Sequence, residues 1–505
     1  MNIITKIAFS SLLAFGLATA TVNFPFPQNS DYGGTATLLS DKATAASQLK
    51  QGFEWWKAAF YNESGDIAGV RSNEGSNEYF SEGVGYGMLL MVYFSDNTTS
   101  YQAQFDKLWN FYKRFKNNNG LMIWKIGNMS ESWDAGNGAA LDGDIDAAAA
   151  LIMAAYQFGD TKYLDEARTL IKVMKNAEFE SNGLHMPGDA WGDLAYNRKN
   201  PGYFDPAYMP LFAAVDTDNS TFWSTTAYDA NMKLYEASSA EVSTGLIDDW
   251  TDKNGKSEDD WYSYDASRAP WRNAKAVCWH GDQRALALDK KMAAWVANIP
   301  ASSMSGAVIR SSGQLGGDHN STFVTSLMTA LISDPSYQSK LDEYWAEAVN
   351  LGNENYFNQS LKLLNGLLVS GNMPNLAAGE LDIIIPDPPS SSSQQEASSS
   401  SSQQEASSSS TQQNSSSGQA EDPELEPQSI GTLARNAISL SVYGQILQIN
   451  GADAADVSVF DMQGRPVLIQ RNVSGSLFLK DIATGSYIVQ IKAPNANLTR
   501  KISIK

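Results

Sequence analysis

TKYLDEARTLIKVM, from Thr161 to Met174, carries its apolar residues at the spacing of an α-helix, and this pattern sets the fold class. Asp160 precedes the segment as a candidate N-cap. About a dozen similar stretches follow one another along the chain, without the alternation of strands and helices that a parallel sheet requires. The sequence therefore predicts an all-α domain of packed helix pairs. The apolar face consists of Tyr163, Leu164, Ala167, Leu170, Ile171 and Met174. The further stretches cover residues 43–61, 83–95, 100–116, 139–158, 204–215, 219–237, 268–298, 321–333, 337–351 and 357–370.

Charge and cysteine content exclude several classes of partner and site. The 505 residues contain 36 Lys and Arg against 56 Asp and Glu, which gives a formal net charge of −20. Nucleic-acid binding needs clustered basic side chains, and no basic run occurs, so we expect no nucleic-acid partner. Cys278 is the only cysteine, which excludes a disulfide framework. Its expected role is that of a buried thiol inside a helix.

Composition divides the chain into four segments. Residues 1–20 combine a basic start, a short apolar run and small residues, which is typical of a removable signal peptide and too short for a membrane span. Residues 21–385 contain all thirteen Trp and should carry the chemistry. Residues 386–429 are rich in Ser and Gln and lack the apolar residues needed for collapse, which predicts a disordered linker. Residues 430–505 show short alternating runs between glycines, which predicts a small β-sandwich.

Carboxylates among aromatic residues are the remaining candidates for chemistry. The chain has no HExxH, no GxSxG elbow and no GxxxxGK[ST] phosphate loop, and its three His are scattered. We therefore expect no metal and no cofactor. Three acids stand out: Glu82, Asp142 and Asp265. Each also has a purely structural interpretation. Glu82 and Asp142 could be first-turn acids at a helix start, and Asp265 could form an i,i+3 ion pair with Arg268.

The surroundings of these acids favour a ligand site. Three glycines beside Glu82, in SEGVGYGM, indicate that something approaches the helix start closely, and a flat ligand would fit. Asp142 heads an Ala-rich helix whose acid spacing begins like that of an EF-hand loop, but Ala147 and Met153 stand where that loop needs Gly and Glu. Two carboxylates flanking a bond are the minimum apparatus for glycoside hydrolysis, and aromatic faces supply platforms for sugar rings.

Several ordered segments resemble the glycoside hydrolase family 8 enzymes, most closely the bacterial endo-β-1,4-glucanases (cellulases). The resemblance covers residues 29–378 and implies an (α/α)6 barrel and an inverting mechanism. The segments are SEGVGYGMLLMVYF (81–94), NGLMIWKIG (119–127), PGDAWGD (187–193), YDASRAPWR (264–272), GDQRA (281–285), DHNSTF (318–323) and NYFNQSLKLLNGLLVSGNMPN (355–375), together with the Asp142 run.

The resemblance also implies roles for individual residues. Glu82 matches the general acid, Asp265 the general base, and Asp142 the acid that holds the distorted sugar next to the scissile bond. The residues implied to face the substrate are Asp134, Trp124, Trp191, Arg268 and Tyr356.

The same fold and acids would also serve a xylanase, a lichenase or a chitosanase, and a non-catalytic carbohydrate-binding protein is the alternative from another class. Residues 430–505 resemble the sorting tails of type IX secretion cargo, through VSVFDMQGRPV (457–467) and LFLKDIATGSYIVQI (477–491). A carbohydrate-binding module is the alternative for this tail. We expect a secreted monomer, extracellular or attached to the cell surface, that acts on a β-1,4-linked polysaccharide.

Overall fold

The structure is a computed structural model that describes three long segments and the strands of a C-terminal unit. The predicted signal peptide, the predicted linker and Asp134 lie outside the described residues. The chain divides into two compact units, residues 1–389 and 390–505. The described residues are 22–73, 78–129, 138–381, 383, 439–443, 446–450, 455–460, 466–473, 476–479, 482–483, 485–493 and 496–504.

The first unit is helical, and twelve long α-helices and one short one lie in its described part. Helix α5 buries five of the six apolar residues of the Thr161–Met174 segment, and Asp160 Oδ1 accepts from the N–H of Lys162 at 3.0 Å, so the predicted cap is confirmed. The helices are α1 (Lys42–Phe60), α2 (Ser81–Tyr93), α3 (Gln102–Arg114), α4 (Leu141–Phe158), α5 (Lys162–Ala177), α6 (Asp193–Asn197), α7 (Met209–Val215), α8 (Tyr228–Ala240), α9 (Ala269–His280), α10 (Gln283–Val296), α11 (Ser321–Ala330), α12 (Gln338–Asn350) and α13 (Tyr356–Val369).

Burial sorts the twelve long helices into two rings of six. All ten residues of α11 are buried and twelve of the thirteen in α2, whereas α3 buries five of thirteen. A helix that is buried all round belongs to a core, and one with a single buried stripe covers it. Inner and outer helices alternate along the chain, and α1 packs against α13 to close the ring. The unit is therefore an (α/α)6 barrel with inner helices α2, α4, α7, α9, α11 and α13 and outer helices α1, α3, α5, α8, α10 and α12.

One predicted helical stretch is two helices. Residues 268–298 divide between α9 and α10 at Gly281, whose φ of 63° ends the first helix in the left-handed conformation that glycine adopts readily. Asp282 then caps α10 by accepting from the N–H groups of Arg284 and Ala285. The break returns the chain from the inner ring to the outer one. Cys278 is buried in α9, as predicted.

Short antiparallel strand pairs connect the helices and help to position the site. In one pair Phe80 lies opposite Lys125, and the next residue, Ser81, donates its N–H to the carbonyl of Trp124 at 2.9 Å. This pairing fixes the loop of Trp124 beside the start of α2. The strands of the first unit are β1 (Tyr61–Ser64), β2 (Ile67–Val70), β3 (Tyr79–Phe80), β4 (Lys125–Ile126), β5 (Arg198–Lys199), β6 (Thr251–Asp252), β7 (Trp261–Tyr262) and β8 (Val308–Ile309).

The second unit consists of two antiparallel sheets, ordered β13-β10-β9 and β12-β11-β14-β15. Alternate residues of both sheets form one apolar core that includes Leu447, Ile449, Val457, Val459 and Val489. The predicted β-sandwich is confirmed. Its strands are β9 (Ser439–Tyr443), β10 (Ile446–Asn450), β11 (Ala455–Phe460), β12 (Pro466–Val473), β13 (Ser476–Phe478), β14 (Gly485–Ala493) and β15 (Ala496–Ile504). Within the described residues of the chain, no helix has the length and apolar character needed to cross a membrane.

Candidate active site

Three carboxylates converge on the guanidinium of Arg268. Nη1 donates to Glu82 Oε2 and to Asp142 Oδ2, each at 2.8 Å, and Nη2 donates to Asp265 Oδ1 at 2.6 Å. Glu82 and Asp142 are the second residues of α2 and α4, and Asp265 precedes the turn that leads into α9. The acids thus come from the N-terminal ends of three inner helices, where the helix dipole favours negative charge.

The three acids differ in their access to solvent. The side chain of Asp142 is 4% exposed, that of Glu82 17% and that of Asp265 36%. Burial raises the pKa of Asp142 well above its ordinary value, against the opposing charge of Arg268 and with a further increase from Glu82. Burial therefore drives Asp142 towards its protonated form, and Asp265 is the acid that water reaches most easily.

Aromatic rings continue from the Glu82 side of the site. The hydroxyl of Tyr356 donates to Glu82 Oε1 in a short hydrogen bond. The ring of Tyr356 lies 6.1 Å from that of Phe80, and Phe80 stacks on Trp124 with ring centres 5.9 Å apart. Trp124 is half-buried, so one side of this row is open to a ligand.

A second aromatic group lies on the Asp265 side. The indole Nε1 of Trp250 donates to Asp265 Oδ2 at 3.0 Å. Trp250 lies 6.1 Å from Trp191 and 6.4 Å from Tyr203, and the ring of Tyr203 faces the guanidinium of Arg268 at 4.8 Å. Aromatic surfaces therefore flank the carboxylates on both sides, which suits a chain of sugar rings.

Comparison with known proteins identifies the family of the chain. Residues 24–371 match the family described as Glycosyl hydrolases family 8. The chain belongs to this family. It is a glycoside hydrolase, and residues 443–505 match the Secretion system C-terminal sorting domain. The resemblances to this family and to sorting tails are both confirmed.

Two curated members of family 8 illustrate the relationship. Endoglucanase 2 of Ruminiclostridium josui is 32% identical over 378 residues, which cover 71% of this chain and 79% of the relative. Endoglucanase A of Acetivibrio thermocellus is 33% identical over 367 residues, which cover 70% and 74%. Among solved structures, the apo structure of a beta-1,3-1,4-glucanase from Paenibacillus sp. X4 superposes with a TM-score of 0.64 and 24% sequence identity. The match covers 70% of this chain and 99% of that one, and it supports the fold.

The acids at the head of α4 in this family 8 chain have three separate environments. Only Asp142 faces the site. Asp144 accepts a short hydrogen bond from Tyr112 and lies next to the buried carboxyl of Glu178. Asp146 binds both amino nitrogens of Arg272, at 2.9 and 2.7 Å, in a fully buried ion pair. The interpretation that acids simply favour a helix N-terminus accounts for none of these specific partners.

The glycines of α2 allow neighbouring elements of the protein to pack closely against this helix. A Cβ on Gly85 would lie 3.0 Å from the carbonyl oxygen of Gly143, and one on Gly83 would lie 3.1 Å from the ring of Tyr356. A Cβ on Gly87 would lie 2.8 Å from a methyl group of Val70. The interpretation that these glycines admit a flat ligand is therefore wrong, because neighbouring elements occupy the space.

The structure brings most of the residues singled out in the sequence to one place. Glu82, Asp142, Asp265 and Tyr356 join Arg268 in a single hydrogen-bonded cluster. Trp124 and Trp191 lie one aromatic ring away from it, next to Phe80 and Trp250 respectively. Asp134 is outside the described residues.

Sequence reasoning missed Trp250 and Tyr203. It also missed Asp249, whose Oδ1 accepts from the N–H groups of Ser263 and Ala266, on either side of Asp265. Asp249 and Trp250 belong to the run Asp248-Asp249-Trp250, which shows the same density of acids and aromatics that singled out residues 259–271. That signal was present in the sequence. Tyr203 follows a Pro-Gly turn and carries no comparable signal, since only its contact with Arg268 makes it part of the site.

Proposed function

We propose that this protein is a secreted, inverting endo-glycoside hydrolase that cleaves internal β-1,4 linkages of cellulose or a related β-glucan. Glu82 acts as the general acid and Asp265 as the general base, while Asp142 holds the sugar next to the scissile bond. The substrate also contacts Arg268, Tyr356, Trp124, Trp191 and Asp134. The endoglucanase names of both curated relatives support the choice of substrate.

The observation that carries the proposal is the position of Arg268 between Glu82 and Asp265. Glu82 contacts Nη1 and Asp265 contacts Nη2, so the two carboxylates bind different nitrogens of one guanidinium. Inverting enzymes separate their carboxyls by about 6.5–9.5 Å to admit a water molecule, whereas retaining enzymes hold them about 5–5.5 Å apart. An intervening guanidinium favours the wider arrangement.

In the proposed reaction Glu82 gives its proton to the glycosidic oxygen as the bond from that oxygen to the anomeric carbon breaks. Asp265 takes a proton from a water molecule, whose oxygen forms the new bond to the anomeric carbon from the opposite face. The proton gained by Asp265 returns to solvent, and Glu82 is reprotonated. The greater exposure of Asp265 suits its contact with the attacking water.

The test combines substrate range and product stereochemistry. Reducing-sugar release is measured on carboxymethyl cellulose, mixed-linkage glucan, xylan and chitosan, and we expect release from the first two. Proton NMR in the first minutes should show the α-anomer from a β-glucan. An initial excess of the β-anomer would contradict inversion, and release confined to xylan or chitosan would contradict the proposed substrate.

We also propose that residues 1–20 are removed during export and that residues 430–505 deliver the enzyme to a secretion system. The match of residues 443–505 to a sorting domain supports this role. The catalytic domain, residues 21–385, then works outside the cell or at its surface as a monomer, joined to the tail by the linker of residues 386–429.

A further inference from the structure

Asp265 lies at a helix start, but its side chain does not cap the helix. It occupies the N-cap position of the turn Ala266–Arg268, yet its side chain makes no capping hydrogen bond. Its main chain is already helical, with φ −66° and ψ −51°, whereas a capping Asp has a non-helical main chain and accepts from the N–H groups of the first turn. Both oxygens of Asp265 are instead engaged on the cleft side, by Arg268 and Trp250.

The capping is supplied by a residue from another part of the chain. Asp249 Oδ1 accepts from the N–H of Ser263 and from the N–H of Ala266, both at 2.7 Å. These two N–H groups flank Asp265 in the sequence. Asp249 is itself 9% exposed, and its N–H donates to the carbonyl of Trp261 at 2.8 Å, so the cap rests on an anchored main chain.

We propose that Asp249 is a positioning residue that caps the helix start and holds the main chain on both sides of Asp265, so that the carboxylate of Asp265 lies in the cleft, where it acts as the base. This inference rests on the proposed function of Asp265. Trp250, the next residue, completes the arrangement by donating to that carboxylate directly. One dipeptide thus holds both the main chain and the side chain of the base.

The environment of Asp249 suits a neutral hydrogen-bond acceptor rather than a second negative charge beside Asp265. Burial raises the pKa of Asp249 well above its ordinary value, and the neighbouring charge of Asp265 raises it further. A neutral side chain whose oxygen accepts two hydrogen bonds can be replaced by an amide. Asn at this position should therefore preserve the cap, and Ala should remove it.

The experiment compares Asp249→Ala, Asp249→Asn and Asp265→Asn in the full chain, with mixed-linkage glucan as substrate. For Asp249→Ala we expect kcat to fall about 10²-fold with KM unchanged, because a displacement of the catalytic base by about 1 Å lowers the rate by about this factor. Asp249→Asn should keep kcat near the wild-type value. If Asp249→Ala does not fold, Asp249→Ser, whose hydroxyl is too short to reach both N–H groups, takes its place with the same expectation.

Asp282 provides the matched control. It is as buried as Asp249, and its Oδ1 accepts from two N–H groups at the start of α10, away from the cleft. Asp282→Ala should lower the melting temperature and leave kcat unchanged. An unchanged kcat in Asp249→Ala, or equal losses of kcat in Asp249→Ala and Asp282→Ala, would overturn the inference. Normal turnover in Asp265→Asn would instead refute the proposed function, and the inference with it.

Discussion

Arg268 Nη2 lies 2.6 Å from Asp265 Oδ1, three residues earlier in the chain. An ion pair at this spacing on a helix surface contributes only a few tenths of a kcal/mol. Here the arginine side chain is 5% exposed and its second amino nitrogen holds two more acids. The same pair is therefore part of a buried charge cluster, in which one cation binds three carboxylates.

Replacing Arg268 by Lys should lower kcat about 10²-fold, because a single ammonium cannot contact three carboxylates through a rigid plane. Kinetics on mixed-linkage glucan check this. Arg284, which binds Glu236 and Asp229 on an outer helix, offers the control, and Arg284→Lys should leave kcat unchanged. Equal activity of the two variants would show that Arg268 has no role in catalysis.

Glu82→Gln should lower hydrolysis by about 10²–10⁴-fold, the usual contribution of a general acid, while oligosaccharide binding is retained. The amide keeps the volume of the side chain and its oxygen still accepts from Tyr356, but it has no proton to transfer. Turnover and calorimetric binding of cellopentaose separate the two effects. Near-normal turnover would refute the assignment, and Glu166→Gln, on the surface of α5, should behave as wild type.

Asp144→Asn should make the stability of the protein less dependent on pH. Burial raises the pKa of Asp144 to about 7 and that of the neighbouring Glu178 well above its ordinary value. Between about pH 4 and 7 the folded state therefore binds more protons than the unfolded state, so the free energy of unfolding falls as pH rises, by about 1.4 kcal/mol per pH unit for one proton.

In the Asn variant the amide accepts from Tyr112 and donates to Glu178 without needing a bound proton. The melting temperature should then decline less between pH 4.5 and 7.5 than in the wild type. Asp165→Asn, at an exposed site of α5, is the control and should leave the slope unchanged. Parallel melting curves for Asp144→Asn and wild type would show that the pair does not share a proton.

Gly143→Ala should destabilise the barrel by about 1–3 kcal/mol, as overpacking does. The added Cβ would lie 2.5 Å from Ser81 Oγ and 2.6 Å from its carbonyl carbon, so α4 must move away from α2. Since these helices carry Asp142 and Glu82, kcat should fall as well. Gly52→Ala, in α1, meets only flexible side-chain ends beyond 3 Å and should be neutral or stabilising in the same melts.

Truncation after Pro427 should leave the catalytic activity of the purified enzyme unchanged and abolish its export. Activity in the culture fluid and in the cell fraction measures both effects. Retained export combined with weaker adsorption to insoluble polysaccharide would instead favour a carbohydrate-binding tail.

Local patterns sufficed for most of the helices and for the all-α and all-β classes of the two units, whereas the (α/α)6 barrel was implied by the family resemblance. Helix α5 was predictable because its apolar residues repeat at the helical period. The apolar pattern predicts one helix over residues 268–298, but the glycine followed by a capping Asp at 281–282 is itself a local signal for the break that the structure shows. The strands of the second unit were predictable because they alternate between buried and exposed residues. The resemblance to family 8 then identified the acids by their motifs.

The sequence by itself determined an all-α domain, a β-sandwich tail and the family of the enzyme, since periodicity and ordered motifs are local properties of the chain. Only the tertiary structure decided that Arg268 joins acids 186 and 126 residues away, and that Asp249 caps the helix start beside Asp265. Such contacts depend on where the inner helices meet, and no local pattern encodes that. The glycines of α2 show the same limit. The sequence indicates that some group approaches this helix closely, but it does not identify that group.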